Sequence, residues 1–288
     1  MKRSVPCYAT LSRLGGYTEF RPPAHLARSL ELLWTYQSPE GARATHRVRL
    51  NVGVSLCFRY RRGPRMRLLA PELKLIGPVQ ATRVFAPRAG HVSEAIQLKP
   101  EWSKTLLGVT PGEHINAQDA WRLIDGPRVG HLLDALMRGV AECGSALPAL
   151  LEWLEHRMLD ARPDRTTRLA NGALERLLGR HGGRPEAIES VADGRGVTAR
   201  HLRRSVRATA SATPKYLQRV ERLNRTVAEA DLTQRPRWSS LAVGHGYYDQ
   251  AYLIQEFRAL TGRTPVVVHA ERRAEHVPFF QSTPDPED

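Results

Sequence analysis

The sequence is poor in cysteine and has no long apolar run. Its cysteines, Cys7, Cys57 and Cys143, lie far apart and form no Cys-x-x-Cys pair, so we expect neither a disulfide framework nor a zinc site. No stretch approaches a membrane-spanning length, and the basic first residues are not followed by an apolar core. We therefore expect a cytoplasmic protein without a secretory signal or membrane anchor.

Motifs of the common catalytic sites are missing as well. The histidines are scattered without an HExxH spacing, and no GxSxG or P-loop pattern occurs. Paired acids such as Glu152 and Glu155 fall on one face of an ordinary expected helix. We expect no enzyme activity, no catalytic residues, no metal and no cofactor.

The formal net charge of the chain is +14, which favours a polyanionic partner such as nucleic acid. The length of 288 residues suggests two domains, and the 41% of apolar residues is ordinary for a soluble chain. Both halves are basic, although the C-terminal half is more basic per residue. Charge alone therefore does not locate a binding site.

Residues 238–273 have the pattern of a helix, a tight turn and a second helix. Gly246 suits the turn, and Asp249 can cap the second helix by accepting from its free amide groups. Leu253, Phe257 and Leu260 form a stripe at helical spacing that we expect to be buried. The side chains left facing away are those of Gln250, Ala251, Tyr252, Ile254 and Gln255.

The same pattern occurs 51 residues upstream, which indicates two copies of one helix–turn–helix unit. The counterparts of Asp249, Leu253, Phe257 and Pro265 are Thr198, Leu202, Val206 and Pro214. Between the units, residues 214–231 have apolar side chains at helical spacing, and a helix there would fix the distance between them.

The first copy departs from the second at three positions. Gly194 is expected inside the first helix of that copy, at a cost of about 1 kcal/mol relative to alanine. Arg195 precedes the turn glycine, and Ser211 stands where the second copy has Gly262. These departures predict a less stable first unit, or one that contributes mainly phosphate contacts.

Residues 166–273 resemble the DNA-binding domain of the AraC/XylS family of bacterial transcription regulators, most closely in GYYDQAYLIQEFRALTGRTP. The resemblance implies two recognition helices in successive major-groove segments about one DNA turn, roughly 34 Å, apart. It also implies that the domain holds promoter DNA and contacts RNA polymerase. The DNA-binding positions that it implies are Arg200, His201, Arg203 and Arg204 in the first unit, and Gln250, Ala251, Tyr252 and Gln255 in the second.

The side chains at those positions suit base recognition. Arginine can contact O6 and N7 of guanine together, and glutamine can pair with N6 and N7 of adenine, each with about 1–3 kcal/mol of discrimination. Two other interpretations of the arginines stay open, namely a solvated helix face and contacts to phosphate only.

The N-terminal part, residues 1–162, is expected to be a β-rich domain with helices. Residues 47–60 alternate strictly between apolar and other side chains, which predicts a half-buried strand or a hairpin bent near residues 51–53. Further strands are expected at residues 66–69, 73–76, 80–85 and 92–98, and helices at residues 23–34, 101–107, 127–143 and 147–160.

This part resembles, more loosely, a sensor-like N-terminal domain of uncertain function found in one branch of AraC/XylS-like regulators. The matching phrases include FRPPAHLARSLELLWTYQ and WRLIDG. Those relatives carry a polar Pro-Asp-Gly-Cys turn where this chain has LNVGVS at residues 50–55. The domain would bind a different small-molecule effector, or none, and would then serve association, for example as a homodimer.

The densest basic run contains Arg59, Arg61, Arg62, Arg65 and Arg67. A solvated hairpin surface is its ordinary interpretation, with an anion site or an extra DNA contact as alternatives.

The predicted fold class is α+β: a β-rich N-terminal domain with helices, then an all-α domain of two helix–turn–helix units joined by a linker helix. Residues 162–166 would join the domains, 166–273 would bind DNA, and 274–288 would be a disordered acidic tail. The predicted function is sequence-specific transcription regulation without a membrane partner. One alternative is a nonspecific nucleic-acid-binding protein. The other is an alkyltransferase-type repair fusion, whose chemistry requires clustered cysteines.

Overall fold

The structure, a computed structural model, describes residues 10–14, 16–38, 46–47, 50–63, 67–79, 84–85, 90–114, 118–120, 126–180 and 183–274. An antiparallel sheet comes first and a helical part follows, so the predicted fold class is confirmed. The strands are β1 Thr10–Leu14, β2 Tyr17–Phe20, β3 Leu30–Gln37, β4 His46–Arg47, β5 Val54–Arg62, β6 Leu68–Ile76, β7 Val84–Phe85, β8 His91–Leu98 and β9 Gln118–Ala120. The helices are α1 Ser103–Leu107, α2 Gly126–Cys143, α3 Leu147–Asp160, α4 Arg165–Leu177, α5 Ile188–Asp193, α6 Ala199–Ala210, α7 Pro214–Ala230, α8 Trp238–Gly244, α9 Gln250–Thr261 and α10 Pro265–Ala274.

The main sheet has the strand order β1-β2-β3-β8-β5-β6-β9, and β4 pairs with β7 separately. Alternate side chains of β5, such as Leu56 and Phe58, are fully buried in one core with leucines of α2 and α3. On the opposite face, Cys57 is buried with Trp34 and Ala95. The chain bends near residues 51–53, but the predicted hairpin was wrong because β4 pairs with β7 and β5 pairs with β6 and β8. The half-buried strand was also wrong, since residues 54–60 are buried on both faces.

The helix predicted at residues 23–34 was also wrong. A short 3-10 turn, Ala24–Leu26, is followed by strand β3. Because β3 lies between β2 and β8, it is hydrogen-bonded along both edges, with Leu33 opposite Phe20 and Ile96. Strand pairing across the chain therefore overrides the local helical pattern.

The strands predicted at residues 66–69 and 73–76 are one strand, β6, which continues through Pro71. Ala70 has a φ of 47°, and the pairing with β5 shifts register between Arg59 and Arg61. A bulge of this kind accommodates a proline that cannot donate to the ladder. Of the strand predicted at residues 80–85, the described part is β7.

The basic run of β5 and the following turn does not form one surface. Arg59 is buried at 6% exposure, whereas Arg61, Arg62 and Arg67 are exposed and Arg65 lies outside the described residues. A single solvated hairpin surface is therefore a wrong interpretation for Arg59.

The helices predicted after residue 100 are confirmed, with a 3-10 turn, Pro100–Trp102, before α1. Helix α4 is capped by Asp164, whose side chain accepts from the Thr167 amide at 2.7 Å. Within the described residues, no helix combines the length and the apolar character needed to span a membrane. The proposed acidic tail beyond residue 274 lies outside the described residues.

Candidate nucleic-acid interface

The second helix–turn–helix unit has the predicted local structure. Helix α8 ends before Gly246, which has a φ of 74°, a conformation that glycine adopts without strain. The Asp249 carboxylate accepts from the Tyr252 amide at 2.7 Å and caps α9. Gly262, with a φ of 71°, ends α9, and Pro265 begins α10.

The first unit repeats this geometry with other residues. The Thr198 hydroxyl accepts from the His201 amide at 3.2 Å, and Gly196 at the turn has a φ of 63°. Helices α6 and α9 are both 12 residues long, and they begin 51 positions apart, at Ala199 and Gln250. The predicted internal repeat is thus present in the backbone as well as in the sequence.

The departures of the first unit are accommodated locally. Gly194 follows α5 as its C-cap, so the prediction that it lies inside the helix was wrong and its helix-interior cost does not apply. The guanidinium of Arg195 lies against Gly172 of α4, in the space that a side chain there would fill. Ser211 ends α6 with a φ of 54°, the left-handed conformation that Gly262 has in the second unit.

The predicted reading positions of the first unit are on the outer face of α6. Arg200, Arg203 and Arg204 are exposed, and His201 is half-buried. Arg203 pairs with Glu189 of α5 at 2.6 Å, and Arg204 donates to His201 Nδ1 at 3.2 Å. Exposed pairs of this kind contribute about 1 kcal/mol or less, so an approaching polyanion can replace them.

The predicted positions of the second unit are also exposed. Gln250, Ala251 and Gln255 face solvent, and Tyr252 is 40% exposed with its ring 6.3 Å from that of Tyr247. Ile254, expected on the same outer face, is instead half-buried against the core of the second unit. The exposed face of α9 is therefore narrower than predicted, and apart from Ala251 its predicted positions carry polar or aromatic side chains.

Further side chains near α9 were not predicted as part of the site. Tyr248, directly before the cap of α9, is 91% exposed. A cavity of about 930 Å³ lies beside α7 and is lined by Lys215, Arg219, Arg222 and Tyr252 among others. The i, i+4, i+7 spacing of the three basic residues on α7 places them on one helix face, and this pattern in the sequence could have indicated the basic lining of the cavity.

Two of these α7 arginines hold the second unit in place. Arg219 pairs with Glu256 of α9 at 2.9 Å, and the guanidinium of Arg222 lies 4.5 Å from the centre of the Tyr247 ring. Both contacts join α7 to residues at or beside the exposed face of α9, so the position of that face depends on α7.

The cysteines bear on the alkyltransferase alternative. Cys57 is fully buried, and burial raises the pKa of its thiol to about 11, so the thiol stays protonated at neutral pH and is a poor nucleophile. Cys143 is half-buried, and Cys7 lies outside the described residues. Across the described ranges, no group of three or more His, Cys, Asp or Glu side chains could hold a metal ion.

Comparisons with known proteins give weak structural likenesses. No protein-family model matches the sequence, and no curated protein matches it. ToxT from Vibrio cholerae is 9% identical, with 82% of this chain and 96% of that one covered at a TM-score of 0.41.

Two further structures match a smaller share of the chain. The C-terminal domain of AraT, a response regulator from Geobacillus stearothermophilus, is 21% identical, with 38% of this chain and 88% of that one covered at a TM-score of 0.33. A DNA-binding transcriptional dual regulator from Escherichia coli K-12 is 20% identical, with 40% and 96% covered at a TM-score of 0.30. TM-scores below 0.5 are too low for these likenesses to support a statement about function.

Proposed function

We propose that this chain is a sequence-specific DNA-binding transcription regulator of the AraC/XylS type. The observation that carries the proposal is the repeated unit: two helix–turn–helix units of equal build, 51 residues apart, each exposing polar side chains at the start of its second helix. A pair of such units on one chain suits two successive major-groove segments of promoter DNA.

The two exposed faces would contribute differently to binding. In the first unit, Arg200, Arg203 and Arg204 can contact guanine edges or phosphate, with His201 beside them. The face of α9 would read bases without formal charge. There, Gln250 and Gln255 suit adenine, and Ala251 suits the methyl group of thymine.

The sheet domain would supply regulation. A cavity of about 490 Å³ lies between it and α7, lined by apolar and charged residues that include Leu32, Leu217, Glu31 and Glu221. We propose this cavity as the place of a small-molecule effector, since a ligand there would touch both parts of the chain. Homodimerisation and contact with RNA polymerase belong to the same proposal.

The proposal is tested by selecting bound sequences from random duplex DNA with the full-length protein, and repeating the selection with Gln255→Ala. We expect two sequence blocks about one helical turn apart, one of which loses preference at one base pair in the variant, because a bidentate contact is worth about 1–3 kcal/mol. Gln234→Ala is the matched control, because Gln234 is an exposed glutamine in the loop between α7 and α8.

Enrichment of no motif, together with binding that depends steeply on salt, would contradict the proposal and indicate a nonspecific nucleic-acid-binding protein. An unchanged motif with Gln255→Ala would contradict the assignment of the α9 face.

A further inference from the structure

The two helix–turn–helix units have separate hydrophobic cores. One contains Leu202 and Val206 of α6, and the other contains Leu253 and Phe257 of α9. In the helical part, α4 and α5 pack against α6 in the first unit, α8 packs against α9 in the second, and α7 contacts both α6 and α9. Helix α7 is therefore the connection that the helical part itself provides between the two reading faces.

The sheet domain provides a second connection through the turn before β5. Leu50 is 2% exposed and is a member of the core of the second unit, although it belongs to the N-terminal half of the chain. Val52 packs against both cores, as does Tyr216 of α7. We call residues 50–53 the bridging turn.

The bridging turn is held firmly on its own domain. The Asn51 side chain accepts from the Gly53 amide and from Gln97 Nε2, each at 2.8 Å, and the Asn51 backbone pairs with Val79. A side chain at position 53 would collide with the Leu98 carbonyl, so glycine is required there. Because these contacts fix the bridging turn on the sheet domain, the position of the sheet can determine the position of the side chains that pack on the turn.

Ion pairs anchor the sheet domain to the first unit. Arg180, just after α4, pairs with Glu101 at 2.5 Å and lies 3.6 Å from Glu31. Lys99 pairs with Glu175 of α4 at 3.0 Å, and these side chains are largely buried. These ion pairs therefore attach the sheet domain to α4 and the segment after it, while Leu50 lies in the core of the second unit and Val52 packs against both cores.

We infer that the bridging turn is a positioning element: Leu50, in the core of the second unit, and Val52, which packs against both cores, set the placement of the second reading face relative to the first. The exposed faces of α6 and α9 stay uncovered by this contact. The consequence for DNA rests on the proposed function, since only a two-block reader would need a fixed distance between its reading faces.

A distance measurement tests the inference without DNA. Spin labels are placed at Arg207→Cys and Arg258→Cys, which are exposed and occupy equivalent positions 51 residues apart. Cys7 and Cys143 are replaced by serine, and Cys57 stays because it is fully buried. In the otherwise native chain, double electron–electron resonance should give a narrow distribution of distances between the labels at positions 207 and 258.

The variants are chosen to separate positioning from folding. Val52→Asp should broaden or shift the distribution, Val52→Ala should do so less, and Val52→Ile should retain it. Leu159→Asp is the matched control, because Leu159 is 72% exposed on α3. Urea unfolding confirms that each variant is folded. An unchanged distribution in folded Val52→Asp and Val52→Ala would overturn the inference.

Spacing selectivity on DNA is the second readout. The selected two-block site is compared with sites that have one base pair inserted or removed between the blocks. We expect the preference for the selected spacing to fall several-fold in Val52→Asp, while binding to a single block is unchanged. Equal weakening on all three sites would overturn the inference, since it would show a merely structural role. If the native chain selects no two-block site, the proposed function fails, and the distance measurement alone decides the inference.

Discussion

The first and second helix–turn–helix units have the same backbone and different chemistry. Their second helices have equal length, and the residues that cap and end them occupy equivalent positions. Different residue types adopt the same backbone conformation at the helix ends: Thr198 or Asp249 at the cap, and Ser211 or Gly262 at the end. The exposed faces differ more, with arginines on α6 and glutamines with Tyr252 on α9.

Two units with one backbone geometry can therefore present two kinds of DNA contact, to phosphate and to base edges. A face rich in arginine gains from phosphate as well as from guanine, and its contribution depends on salt. A face of glutamine and tyrosine gains little from phosphate charge and must rely on the fit to base edges.

Phe257→Ala should destabilise the second unit most. Phe257 is fully buried in the core of that unit, and removal of such a side chain costs about 3–5 kcal/mol. Val206→Ala, at the equivalent position of the first unit, removes a smaller side chain and should cost roughly 2 kcal/mol. Urea unfolding measures both, and equal losses would contradict the comparison.

Exchanging the helix-ending residues should change the free energy of unfolding in opposite directions in the two units. Gly262→Ser places a side chain in the left-handed conformation at a φ of 71° and should cost about 1 kcal/mol. Ser211→Gly relieves the same strain in α6, but a gain in unfolded-chain entropy offsets part of the benefit. We expect a smaller change there, measured by thermal unfolding. A large loss of stability with Ser211→Gly would show that the position of the Ser211 side chain beside Gly112, and not the backbone conformation, determines the effect.

The smallest expected effect is on the pH dependence of stability, through Glu221 of α7 and its neighbours on the sheet domain. Burial and the charge of Glu31 raise the pKa of Glu221, while Arg180 and Arg225 act in the opposite direction. The folded protein therefore keeps this proton at pH values where the unfolded chain has lost it. As pH rises from the ordinary glutamate pKa to the raised value, the free energy of unfolding falls. Glu221→Gln should remove that fall, measured by urea unfolding from acidic to neutral pH.

Glu186 gives a control of opposite sign. Its hydrogen bonds with Arg176 lower its pKa, so its contribution to stability is present at neutral pH and is lost as pH falls through the lowered value. Glu186→Gln should therefore reduce stability at neutral pH but not in acid. The same pH dependence for both variants would contradict the assignment of the two shifts.

Local features of both units could be predicted from the sequence because they follow short-range rules. The caps Thr198 and Asp249, the turn glycines and the stripe around Leu253 depend on neighbours a few residues away. The exposure of Gln250 and Gln255 follows from the same helical spacing.

Features that depend on distant partners could not be predicted in this way. The local pattern of β3 predicts a helix, but pairing with β8, some sixty residues later, decides its structure. The course of β6 through Pro71 depends on a bulge against β5. The contact of Leu50 with the second helical core joins residues that no local pattern relates.

The most direct test of the account is chemical protection of a selected DNA site at guanine N7, which lies in the major groove. With the native chain bound, we expect two groups of protected positions on one face of the duplex, about one turn or roughly 34 Å apart. Arg203→Ala should weaken protection in one group and Gln255→Ala should alter the other. Protection confined to a single group, or loss of both groups with either variant, would contradict the claim that the two units read separate major-groove segments.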